Sequence, residues 1–108
     1  MKITDTKPFT FFREATQYIY FYLPKCKPCQ KLTTGLLDII DDPYYNLIEI
    51  HKFDISKDEN LKLFNQLNLS KTVPVVLDCN YVKLKNIDQF KTNVSEHYIR
   101  NDIYDTPF

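Results

Sequence analysis

Residues 18–32 read YIYFYLPKCKPCQKL. Tyr18 to Leu23 is β-branched and aromatic with no breaker, the composition of a buried strand, and Pro24 ends it. Cys26 and Cys29 follow with two residues between them. Pro28 is tolerated in the first turn of a helix, where a missing N–H costs nothing. Cys29, Leu32, Leu36, Ile39 and Ile40 then fall on one face at helical spacing, until Asp42-Pro43 stops the run. The stretch reads as strand, short connection and helix, with a cysteine pair at the junction.

The rest of the chain extends that pattern. Lys2 to Thr4 reads as a short first strand, and Pro8 to Gln17 carries Phe9, Phe12 and Ala15 at helical spacing. Leu47 to Ile55 is a second β-rich run. Ser56 and Glu59 form the sequence signature of a capping box, opening a helix with Leu61, Phe64 and Leu67 inward. Val75 to Leu77 is a strand, Asp78-Cys79-Asn80 a tight turn, and Tyr81 to Leu84 its hairpin partner. Asn86 caps a last helix that buries Ile87, Phe90, Val94 and Tyr98. Residues 100–108 read as a loosely held tail. The order (β)αβαβαββα predicts an α/β domain over residues 1–108. Its mixed sheet of four to five strands is mainly parallel, with one late antiparallel strand and helices on both faces.

Position gives the cysteines their chemistry. Cys26 falls where helix N–H groups lack partners and carry partial positive charge. A thiolate there is stabilised, and Lys25 and Lys27 act in the same direction. Cys29 lies one turn further in, on the buried face, where its thiol is harder to ionise. The spacing lets the two sulfurs bond. Cys26 is then the nucleophile toward a substrate disulfide and Cys29 the resolving thiol, with Lys27 and Pro28 tuning the pair. Two other readings stay open. A CxxC is half of many zinc sites, but only Cys79, His51 and His97 remain, and their spacing makes no second half. The pair is otherwise two structural cysteines. Cys79 reads as an incidental thiol in a turn, and His51 and His97 as structural or surface histidines. Asp54, at the end of a strand, reads as a cap for the following helix.

With these parts in place the chain resembles the thioredoxin-like superfamily. The resemblance runs through Tyr18–Leu23, Cys26-Lys-Pro-Cys29, Phe53-Asp54 and Thr72-Val73-Pro74, and spans roughly Pro8 to Tyr98. It implies a thioredoxin-like fold and a redox-active Cys26–Cys29 disulfide. It also implies a cis peptide bond at Pro74 beside the cysteines, and a substrate groove at Thr72, Val73 and Pro74 where an extended chain pairs with the Val73 backbone. The implied partners are disulfide-containing proteins and a reductant, either a thioredoxin-reductase-like flavoprotein or glutathione, with no bound cofactor and no metal. Two positions depart from the thioredoxin pattern: Tyr20 stands where a buried aspartate is usual, and Lys25 where a tryptophan precedes the first cysteine. Thr72-Val73-Pro74 is closer to glutaredoxins, yet Lys85 to Asp88 lacks their paired glycines. The other function class is a redox-inactive module that docks a partner chain at Val73-Pro74.

Composition bounds these readings. The 108 residues hold 14 basic and 14 acidic side chains, with no block of one sign to suggest a nucleic-acid or membrane surface. Hydrophobic residues are 44%, including 8 Phe and 8 Tyr but no Trp, enough for a packed core. No apolar run approaches the ~20 residues needed to span a bilayer, and the first residues lack a signal-peptide core. Three cysteines is an odd count for a secreted disulfide framework. These features predict a soluble, cytoplasmic, monomeric chain.

Overall fold

The computed structural model describes residues 1–5, 16–67 and 72–105, with side-chain surroundings described as far as Tyr98. Eight elements follow one another: β1 (Lys2–Asp5), β2 (Gln17–Tyr22), α1 (Lys27–Asp38), β3 (Glu49–Asp54), α2 (Asp58–Leu67), β4 (Val75–Leu77), β5 (Lys83–Leu84) and α3 (Ile87–Asp105). A turn of 3₁₀ helix at Pro43–Tyr45, capped by Asp42, joins α1 to β3. The sheet has five strands in the order β1-β3-β2-β4-β5.

β2 is the organising strand because it is apolar on both faces. Tyr18 and Tyr20 point to one side, packing with Leu36 of α1, Ile48, Ile50 and Phe90 and Val94 of α3. Ile19 and Phe21 point to the other, with Phe53, Val75, Leu77 and Phe64 of α2. The alternation of side chains along a strand separates the two sets. Tyr18 meets Phe90 edge-on at 4.9 Å between ring centroids, and Phe21 meets Phe64 at 5.2 Å. The helices thus cover both faces, as the sequence implies.

Several boundaries differ from the sequence reading. β4 already runs antiparallel to β2, pairing Ile19 with Leu77 and Phe21 with Val75, so the parallel part is β1-β3-β2 alone. Alternation of strand and helix favours parallel pairing without forcing it, and β4 takes the antiparallel direction. α1 ends at Asp38, and Ile39 and Ile40 donate to the i−3 carbonyls of Leu36 and Leu37 in a tightened final turn. Ser56 does not cap α2 in the way its spacing with Glu59 suggests; its hydroxyl donates to Asp54 Oδ1 at 2.7 Å, and its N–H to the same oxygen at 2.9 Å. The hairpin partner shortens to Lys83–Leu84, since Asp78 folds the turn around itself. Its Oδ1 accepts from the N–H of Asn80 and of Val82, and Tyr81 turns through a positive φ of 60°.

α3 passes Arg100, where the sequence suggests a loose tail, and continues to Asp105. Neither glycine nor proline stands in its way before Pro107. Gln17, the last residue of the expected Pro8–Gln17 helix, is instead the first residue of β2; residues 8–15 lie outside the described residues.

Candidate active site

The site forms where β2 delivers the chain to α1. Cys26 N donates to Leu23 O, and Gln30 Nε2 reaches back to Pro24 O at 2.9 Å, closing the connection on itself. Cys26 is the N-cap of α1, in an extended conformation, with Lys27 and Pro28 as the first helical residues. Its Sγ accepts the N–H of Cys29 at 3.3 Å. A side-chain acceptor at an N-cap normally satisfies one of the orphan N–H groups, and here sulfur takes that role. The same thiol lies 3.8 Å from the Val73 carbonyl, a long S–H···O contact. Both cysteines are free thiols; Cys26 is half-buried and Cys29 is 1% exposed. Burial, and then the hydrogen bond with Cys26, push the Cys29 thiol up to about 11.

Beneath Cys29 lies Tyr20, fully buried in the core. Its hydroxyl donates to the Cys29 carbonyl at 2.8 Å and shares a 3.0 Å hydrogen bond with Thr33 Oγ1. Burial raises the Tyr20 phenol to about 12, so at neutral pH it is an uncharged donor. A tyrosine in this place holds the first turn of α1 and takes no proton from Cys29. Thr33 escaped the sequence reading, although it sits four residues after Cys29 on the inward side of the helix, at the spacing that would have found it.

The Val73–Pro74 peptide is cis, and both residues are half-buried beside Cys26 while Thr72 is exposed. These residues line one wall of a groove of about 360 Å³, whose other walls include Pro28, Leu32 and Ile87. A second hollow, of about 490 Å³, is lined by Leu23, Pro24, Lys25, Cys26 and Ser56. A third, of about 280 Å³, lies over Tyr22, Cys29, Thr33 and Lys52. Lys25, Lys27 and Pro28 are exposed around the dithiol.

The other candidates lie apart from this cluster. Cys79 is half-buried in the β4–β5 turn, and His97 is on α3. His51, on β3, sits 3.7 Å from Glu49, and burial lowers its pKa. Among the described residues, no three His, Cys, Asp or Glu side chains are grouped as a metal ion requires. No described helix is long and apolar enough to cross a membrane. The Asp54 carboxylate accepts from Ser56, in the turn before α2, and not from an N–H of the helix it was expected to cap; its carbonyl accepts from the buried Asn60 Nδ2 at 3.0 Å.

Known structures share this architecture. Thioredoxin O2 of Arabidopsis thaliana, solved in its oxidised state, superposes with a TM-score of 0.57 at 22% identity, covering 74% of this chain and 72% of that one. The thioredoxin of Malassezia sympodialis, the allergen Mala s 13, gives 0.56 at 18% identity, covering 75% and 73%. The chain has the thioredoxin-like fold. Comparison with protein-family models and with curated protein sequences gives no match. Within the thioredoxin-like fold, the cysteine pair sits at the strand-to-helix junction, with the cis-proline loop facing it.

Proposed function

We propose that this protein is a thiol-disulfide oxidoreductase working through Cys26 and Cys29. The observation that carries the reading is the position of Cys26 Sγ. It accepts the Cys29 N–H at the start of α1 and lies beside the Val73 carbonyl. The Cys29 N–H stays a donor to that sulfur, and Lys25 and Lys27 are exposed beside it.

In the first half-reaction the Cys26 thiolate attacks one sulfur of a substrate disulfide. The substrate S–S bond breaks, a mixed disulfide forms on Cys26, and the departing substrate sulfur takes up a proton. In the second, Cys29 loses its proton and attacks Cys26 Sγ. The second substrate sulfur leaves as a thiol, and the protein ends with a Cys26–Cys29 disulfide, oxidised by two electrons. Burial pushes the Cys29 thiol up to about 11, so it holds its proton until the resolving step. Thr72, Val73 and Pro74 hold the extended substrate, with the Val73 backbone as the pairing partner. Protein disulfides in the cytoplasm are the substrates, and the dithiol is restored by a thioredoxin-reductase-like enzyme or by glutathione. The chain acts as a monomer.

Reduction of insulin disulfides tests the reading. Wild type should be active and Cys26→Ser inactive, while Cys29→Ser should accumulate a mixed disulfide with substrate. Equal, negligible activity in wild type and Cys26→Ser would instead make the fold a docking module. Coupling to NADPH through a thioredoxin reductase, compared with coupling through glutathione and its reductase, assigns the reductant.

A further inference from the structure

The chain is electrically neutral, with 14 basic and 14 acidic residues, yet its charges are not evenly placed around the dithiol. Among the described residues, the charged side chains lining the three hollows named above are all lysines: Lys52 in one, Lys25 in the second, and Lys31 with Lys85 in the groove beside Val73-Pro74. No aspartate or glutamate lines any of the three. The nearest carboxylate in sequence to Lys85 and Asn86 is Asp88, exposed in the first turn of α3 and not part of the groove wall. The apolar lining of the groove comes from Pro28, Leu32, Val73, Pro74 and Ile87, and its charged lining from Lys31 of α1 and Lys85 of the segment before α3.

We propose that this groove selects an acidic, extended polypeptide segment, so that the preferred disulfides are those flanked by aspartate or glutamate. An extended chain places alternate side chains on opposite sides. Apolar residues would settle against Leu32 and Ile87 while acidic neighbours meet the two lysines. Charges at such a rim steer encounter and choice of partner more than they add affinity. The proposal rests on the dithiol reading only in calling this segment a substrate; the docking needs no redox step.

Binding measured by fluorescence anisotropy separates the two. The probe is a labelled, cysteine-free peptide of alternating valine and aspartate, compared with its valine–asparagine twin, on the reduced full chain. The acidic peptide should bind about fivefold tighter, two exposed ion pairs contributing little each. The preference should vanish in about 0.5 M salt, where screening acts over roughly 4 Å. The double variant Lys31→Glu/Lys85→Glu should reverse it toward a valine–lysine peptide. Equal binding of the acidic and neutral peptides by wild type would overturn the proposal, whatever the insulin assay shows. So would an unchanged preference in the charge-reversed variant, or saturation by glutathione with no response to either peptide. Because the salt titration uses wild type alone, it decides the matter even if the double variant fails to fold.

Discussion

At the scale of single residues, the site is governed by what surrounds two side chains, Cys29 and Tyr20. The Tyr20 hydroxyl serves the Cys29 carbonyl and Thr33 at once. Tyr20→Phe keeps the ring in the core and removes both hydrogen bonds, so it should destabilise the fold by about 0.5–1.5 kcal/mol per bond at most in urea unfolding. Its insulin-reducing activity should persist, because no proton transfer passes through the phenol. A loss comparable to that of Cys26→Ser would show the phenol in the chemistry itself. Cys29 carries a pH dependence of defined sign. Its folded pKa is about 11 against an ordinary 9.0, so the folded state holds the proton more tightly than the unfolded chain. The stability this confers is fully present below pH 9 and is lost as pH rises toward 11. Under reducing conditions, unfolding free energy should therefore fall more steeply across that interval in wild type than in Cys29→Ser, which has no thiol to ionise there. Matching slopes would mean Cys29 is not held protonated by burial. The pairing of Cys26 and Cys29 was legible from their spacing. The Tyr20–Thr33 contact was not, because it depends on how β2 and α1 pack.

At the scale of elements, the sequence shows where strands and helices lie but places several of their ends wrongly. Strong periodicity located β2, α1, α2, β4 and α3. Ends are set by local hydrogen bonds that compete with the periodic pattern. Asp54 captures the Ser56 hydroxyl that a capping box would use, and Asp78 folds the hairpin turn around its own carboxylate. Asp54→Ala should remove both bonds to Ser56 and cost about 0.5–1.5 kcal/mol, the usual net range for a hydrogen bond; Ser56→Ala, which keeps the backbone bond, should cost less. The single glycine offers the opposite test. Gly35 lies inside α1 with an ordinary backbone, and a Cβ there would first meet Ile87 Cγ1 at 3.4 Å. That is contact without overlap, so Gly35→Ala should raise stability by roughly 0.5–1 kcal/mol through helix propensity and lower unfolded-state entropy. A destabilised protein would indicate that α1 and Ile87 are packed too closely to take a methyl group.

At the scale of the whole molecule, the sheet divides the core into two sets of contacts, with β2, β3 and β4 each sending alternate side chains to both. One carries the site: Tyr20 supports Cys29, α1 presents Cys26, and α3 closes the groove. The other, built on Phe21, Phe53 and Phe64, holds α2 to the opposite face. The sequence foretold this two-faced arrangement because an uninterrupted apolar strand must be covered on both sides. It did not foretell the antiparallel β4, because no pattern within a three-residue apolar strand encodes its direction. The division makes stability and chemistry separable. Phe64 is 5% exposed and meets Phe21 at 5.2 Å, on the face away from Cys29. Phe64→Ala should cost about 3–5 kcal/mol, the range for emptying a buried aromatic position. Domains of this size have about 5–15 kcal/mol in total, and each kcal/mol shifts Tm by roughly 4–8 °C. The variant should thus melt at least about 12 °C lower yet remain folded at about 15 °C. There its insulin-reducing rate per folded molecule should match wild type, because neither thiol belongs to the Phe21–Phe53–Phe64 cluster and only Val73 of the groove packs against it. A rate that fell while the far-UV spectrum stayed native would mean that the two faces of β2 are coupled, with packing under α2 setting the position of Cys26.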